Sequence, residues 1–331
     1  MKRLILCLLL VFCLTLSAAH AEVGTIFDRD FFLTTGIWSS ENQFDPQTFR
    51  SVASGDSVWT VLYRENDIWR WDADTGAYTF VTKVPMAEMT EKSLSRLSAS
   101  EQAYQLTSVT DLIGADGKLY GFNALSGRLG LIDEEGVHWN EATLDTAPAL
   151  KPGVGYPSAH FCPTIVGDKL YMLCDLTLTL GGSGYQPALV SCSLNGSDCA
   201  GSAIPGLLSL CRYDDSHLLL LTTTGLELYD TMTDQSTPLS LALPATVPSS
   251  GDFWDVHGTL GGLAYDEARD TIFLATPSVL YASVAGGEFI ARETGLDWGH
   301  ALTILHPAAV LADGTYVLYA DGLDTFIVTP D

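Results

Sequence analysis

The feature that most narrows what this chain can become is a phrase that recurs with a period near fifty residues. It consists of an apolar stretch, a polar turn, a second apolar stretch often carrying an aromatic, another turn, and a third apolar stretch. The clearest copies are IWRWDADTG at residues 68–76 and LYGFNALSG at residues 119–127. In each, a short apolar-rich strand runs into Asp or Asn and then Gly, residues that accept the backbone angles of a tight hairpin. Strand-like residues 58–63 and 109–113 precede the phrase, and residues 77–81 and 128–132 follow it. Looser copies keep the same order, so the second strands are expected to begin at 68, 119, 170, 218, 272 and 316. An isolated blade of this kind leaves both faces and two edges open, whereas radial packing against neighbours buries the faces. The expected fold is therefore all-β: a six-bladed β-propeller filling residues 22–331, with seven blades as the alternative count. An N-terminal strand from residues 25–35 is expected to complete the last blade and close the ring. The repeat blurs at residues 84–104, which have a weakly helical pattern, and at residues 175–186, which lengthen one turn.

Residues 1–21 have the organisation of a signal peptide. Lys2 and Arg3 precede an apolar run over residues 4–16, and Ala19-His20-Ala21 is a small-x-small cleavage pattern before Glu22. The mature chain is expected to be secreted or extracytoplasmic, in a periplasm or at a cell surface, with no integral membrane domain once the signal is removed. Lys plus Arg number 16 against 40 for Asp plus Glu, a net charge of −24. Such an acidic protein repels phosphate backbones, so nucleic acid is excluded as an expected partner.

Five cysteines follow the signal: Cys162, Cys174, Cys192, Cys199 and Cys211. In an oxidising compartment, Cys192 with Cys199 closes a small loop and Cys162 with Cys174 staples adjacent strands; buried free thiols are the alternative. No CxxC pair or flanking histidine completes a structural zinc spacing. Asn195-Gly196-Ser197 is a glycosylation acceptor wherever the machinery exists.

The phrase at residues 68–76 and 119–127 resembles the repeats of kelch-like and quinoprotein-like propellers. The resemblance implies architecture only. The double glycines at 181–182, 261–262 and 286–287 do not recur at one repeat position, and the quinoprotein tryptophan phrase is not repeated, so no cofactor is carried over.

If the first strand of each blade lines the axis, the segments before those strands converge on one face. Three of them combine aromatics with a histidine: Tyr156 and His160; Trp254, Asp255 and His257; Asp297, Trp298 and His300. Indoles stack on sugar faces and carboxylates accept hydroxyl hydrogen bonds, so these eight residues form the expected ligand-binding set. The competing account has the tryptophans packing between blades and the histidines capping turns. No metal or cofactor is assigned. The sequence Asp72-Ala73-Asp74-Thr75-Gly76 looks superficially like a calcium loop but more naturally makes a hairpin turn. No GxSxG elbow, HExxH helix, GxGxxG fingerprint or P-loop occurs. The functional expectation is an exported noncatalytic binding or interaction propeller for a glycan or a secreted or surface protein. The alternatives are a carbohydrate-active or metal-assisted hydrolase or lyase, and a structural component of an envelope assembly.

Overall fold

A computed structural model describes residues 23–25, 49–54, 57–62, 67–72, 75, 77–83, 109, 111–123, 128–140, 160–175, 187–195, 197–245, 262–275, 279–292, 305–310, 316–320 and 325–328. Apart from a 3₁₀ turn at Glu267–Arg269, their regular structure is entirely β. Blade I contains β2 (Phe49–Ser54), β3 (Ser57–Leu62), β4 (Asp67–Asp72) and β5 (Tyr78–Lys83). Blade II contains β6 (Asp111–Ala115), β7 (Lys118–Asn123), β8 (Arg128–Asp133) and β9 (Gly136–Trp139). Blade III contains β10 (His160–Val166), β11 (Lys169–Asp175), β12 (Pro187–Ser193) and β13 (Ala200–Ala203). Blade IV contains β14 (Leu207–Arg212), β15 (His217–Thr222), β16 (Gly225–Asp230) and β17 (Gln235–Pro238). Blade V contains β18 (Gly262–Asp266), β19 (Thr271–Ala275), β20 (Leu280–Val284) and β21 (Ile290–Arg292).

These five blades are antiparallel meanders, each built from one run of chain. A further four-stranded sheet is a composite of both chain ends: β22 (Leu305–Val310), β23 (Tyr316–Ala320) and β24 (Thr325–Val328), with β1 (Val23–Thr25) beside β24. The first strands neighbour one another in the order β2, β6, β10, β14, β18 and β22, and β22 also touches β2, so these strands surround a common axis.

The expected six- or seven-bladed ring closed by an N-terminal strand is replaced by five contiguous blades, and no sheet is closed by hydrogen bonds. Every ladder stops at the edge of its four-stranded sheet, and neighbouring sheets meet by packing. The N-terminal pairing also begins earlier than expected: among the described residues, Val23, Gly24 and Thr25 pair with Val328, Ile327 and Phe326. Residues 26–35 of the expected closing strand lie outside the described residues. The phase of the first repeat slips as well. Residue 68 belongs to the third strand of blade I, because Phe49–Ser54 is the first and Tyr78–Lys83 the fourth. The blurred stretches at residues 84–104 and 176–186 lie outside the described residues.

Among the described residues, each wall between successive blades from I to V is a separate apolar cluster. Ile113, Phe122 and Leu129 of blade II meet Leu170, Met172 and Cys174 of blade III. Tyr171 and Leu173, the alternate residues of β11, meet Leu210, Leu218 and Leu220 of blade IV. Leu219 and Leu221 then face Leu263 and Leu274 of blade V. A strand covered on both faces needs an unbroken apolar run, which is why residues 170–174 and 218–221 lack polar alternation. The β6–β7 hairpin turns through Asp116 and Gly117, both at positive φ, as a two-residue Asp-Gly connection requires. In blade I, Asp72 accepts hydrogen bonds from the Thr75 backbone N–H at 2.8 Å and the Thr75 hydroxyl at 2.7 Å, the contacts of a turn.

Cys192 and Cys199 are disulfide-bonded. Cys162, Cys174 and Cys211 are free. The expected Cys162–Cys174 staple is absent for a geometric reason: Cys174 packs in the wall towards blade II and Cys162 in the wall towards blade IV, on opposite faces of one sheet. Replacing Cys192 and Cys199 together with Ser is expected to cost about 2 kcal/mol, because the bridge closes only a short loop of the unfolded chain. Equilibrium unfolding in urea checks this, and an unchanged midpoint would show that the Ser193 N–H to Ser197 carbonyl bond at 2.9 Å holds the loop unaided. Among the described residues, no helix is long and apolar enough to cross a membrane.

Candidate functional site

The first strands enclose a cavity of about 350 Å³. Its lining comes from all five contiguous blades and is sorted by chemistry. Val52, Leu112, Ile113, Pro163 and Cys211 supply apolar surface, and Asp116, Arg212, Tyr213, Tyr265 and Glu267 supply polar groups and rings. Asp116, Arg212 and Glu267 stand at or just beyond the ends of β6, β14 and β18. Three first strands therefore end at one opening and run in the same direction along the axis.

A bulge shapes the wall contributed by β10. The register shifts between Phe161 and Thr164, and Cys162 takes a positive φ of 52°. Pro163, which has no N–H to give a ladder, sits inside that irregularity, as strand prolines commonly do. The bulge places Pro163 and Thr164 at the cavity.

Arg212 spans the opening. Its guanidinium reaches Asp116 of blade II at 3.3 Å and also binds Asp215 in its own hairpin. The cation is thus held between two carboxylates that leave other N–H groups for a ligand. Tyr213 and Tyr265 stack with ring centroids 4.2 Å apart and planes inclined by 19°, bridging blades IV and V. The Tyr265 hydroxyl donates to Asp270 at 2.9 Å. Burial, followed by the hydrogen bonding with Tyr213 and Asp270, pushes the Tyr265 phenol far up, so it stays a neutral donor at physiological pH.

Two nearby groups invite a catalytic reading that their chemistry denies. Cys211 lines the cavity, but burial, reinforced by Cys162, pushes its thiol well up and disfavours the thiolate that would attack a substrate. In the β14–β15 turn, Asp214, Ser216 and His217 are mutually bonded. However, the Ser216 hydroxyl, at 3.0 Å, and the Asp214 carboxylate, at 2.8 Å, both meet Nδ1 of His217. A nucleophile–base–acid relay uses the two ring nitrogens separately, so this is turn capping. Burial opposes the charge on Asp214, but the Ser216 N–H and His217 together outweigh it and hold the carboxyl below its usual range.

Of the residues expected from sequence, His160 is the first residue of β10 and pairs with Cys174 across the ladder. Tyr156, Trp254, Asp255, His257, Asp297, Trp298 and His300 lie outside the described residues. The cavity residues Arg212, Tyr213, Tyr265 and Glu267 are absent from the expected set because sequence reasoning looked before each first strand, whereas these follow or end one. Their signal was present: an aromatic closes the first strand in both Cys211-Arg212-Tyr213 and Tyr265-Asp266-Glu267. Among the described residues, no group of three or more His, Cys, Asp or Glu is placed to hold a metal ion.

No family model matches the chain, and none of the curated proteins matches it. Solved structures do. The Xanthomonas campestris gluconolactonase superposes with a TM-score of 0.52 at 8% identity, covering 93% of this chain and 89% of its own. An X-ray structure assigned as a gluconolactonase gives 0.51 at 12% identity, covering 94% and 92%. At such identities the likeness concerns the fold. The kelch-like and quinoprotein-like resemblance therefore holds at the level of the propeller and not of those particular families.

Proposed function

We propose that this protein is a small-molecule propeller whose axial site hydrolyses a sugar-derived ester. The observation that carries the reading is the shared direction of the axial strands around a cavity of about 350 Å³, lined at its opening by Arg212, two stacked tyrosines and two acids. Convergent donors and acceptors beside aromatic faces suit an oxygen-rich ligand of monosaccharide size. In the sequence, His160 opens β10, Trp254, Asp255 and His257 precede β18, and Asp297, Trp298 and His300 precede β22. In this reading the imidazoles and carboxylates of these residues are the general acid–base groups and the tryptophans stack on the sugar. The likeness in fold to two gluconolactonase structures across about nine-tenths of each chain favours a lactone as the first substrate to try.

The test is hydrolysis of gluconolactone and related five- and six-membered sugar lactones by the mature chain, with divalent ions removed and restored. Turnover that falls at least a hundredfold in the His160→Ala, His257→Ala, His300→Ala triple variant supports the reading. Saturable binding of sugar acids without turnover, abolished by Trp254→Ala with Trp298→Ala, would establish the noncatalytic binding module in its place. Neither turnover nor binding would overturn both.

A further inference from the structure

We propose that the wall between blades I and II holds a second, separate site, for a small carboxylate ion gripped by Arg70 and the indole N–H groups of Trp59 and Trp139. The inference begins with register. On the face of blade I turned towards blade II, Val52, Trp59, Arg70 and Thr79 are successive cross-strand partners, forming one row from axis to rim. On blade II the corresponding row is Leu112, Gly121, Gly130 and Trp139. Val52 and Leu112, the inner ends of the two rows, both line the axial cavity, so the rows lie at the same height. Trp59 and Trp139 pack on the same apolar cluster from opposite sides of this wall.

The two glycines make room for bulky groups in the row. A β-carbon at Gly130 would lie 3.1 Å from Cε3 of Trp139 and 2.7 Å from Val137, so the indole rests directly over glycine backbone. Across the wall, the Arg70 guanidinium lies over the Trp59 ring, 5.7 Å from its centroid. The register thereby sets Trp59 and Arg70 in one row of blade I, facing the row of blade II that Trp139 ends.

All three end in donors without an acceptor. Among the described residues, the Nε1 atoms of Trp59 and Trp139 and the Nε of Arg70 are buried and have no hydrogen-bond partner. Arg70 has no carboxylate partner among the described residues. The ring beneath offers the cation its negative face but cannot accept the guanidinium N–H. Three buried donors, one of them on a half-buried cation, lack one thing: a compact anion with lone pairs in more than one direction. A carboxylate provides two oxygens that meet a guanidinium edge and still accept from an indole. The site is independent of the axial cavity and of any lactone chemistry.

The experiment titrates acetate and formate into the mature chain at constant ionic strength, with chloride as the compensating salt. Tryptophan fluorescence and thermal unfolding are the readouts. A saturable fluorescence change accompanied by a rise in Tm is expected. Binding should weaken at least tenfold in Arg70→Gln and at least threefold in Trp59→Phe and Trp139→Phe, which keep an aromatic ring and remove only the N–H. Arg70→Lys should restore binding only in part, since an ammonium lacks the planar pair of donors. If Arg70→Gln does not fold, the two Phe variants decide. Identical effects of acetate and chloride, or unchanged affinity in the Phe variants, would overturn the site.

Discussion

Phe122→Ala is expected to lower the unfolding free energy by about 4 kcal/mol, the upper part of the range for removing a buried aromatic ring. Phe122 is fully buried on β7, in the wall where Ile113 and Leu129 of its own blade meet Leu170 and Met172 of blade III. The surrounding side chains are anchored to two different sheets, so the cavity left behind cannot collapse without moving one blade against another. Met232 provides the contrast: it is equally apolar but 83% exposed, and Met232→Ala should change stability by less than about 0.5 kcal/mol. Paired urea titrations measure both. A loss at Phe122 no larger than that at Met232 would mean that the blades are not held together by these walls.

A chain that begins at Ile26 is expected to be less stable by about 3 kcal/mol than one that begins at Glu22, taking roughly 1 kcal/mol for each backbone hydrogen bond of a short ladder. The truncation removes β1, whose three residues pair with Val328, Ile327 and Phe326 of β24. Among the described residues, this is the one ladder in which the two ends of the chain hold each other. Its loss also leaves β24 as an unpaired edge, a template for association between molecules. Thermal unfolding and light scattering of the two chains measure these effects. Equal midpoints with no added aggregation would show that β1 contributes nothing to holding the composite sheet.

What could be read in advance divides along burial. In blade IV the first three strands were legible almost to the residue: the apolar stretches 207–211, 218–222 and 226–229 fall within β14, β15 and β16. The fourth strand, Gln235–Pro238, was invisible, and so was Ala200–Ala203 in blade III. Both are exposed along their whole length, so no apolar pattern marks them; their pairing comes from the backbone of the preceding strand. The site divides differently. Sequence reasoning grouped residues that precede the first strands, of which His160 opens β10. The cavity instead draws on residues that end those strands, and Arg212 joins Asp116 across 96 positions of chain.

The sequence by itself determined that the chain folds as repeated antiparallel β units, where most of their buried strands lie, and that Cys192 and Cys199 are close enough along the chain to be joined. Those properties follow from local backbone preference and from side chains that must leave water, both written in neighbouring residues. Only the tertiary structure decided the number of contiguous blades and the composite sheet of the two chain ends. It alone put Cys162 and Cys174 on opposite faces and brought Trp59, Arg70 and Trp139 into one wall. Each of these depends on which face of which sheet meets its neighbour, a relation between residues far apart in the chain that no local pattern encodes.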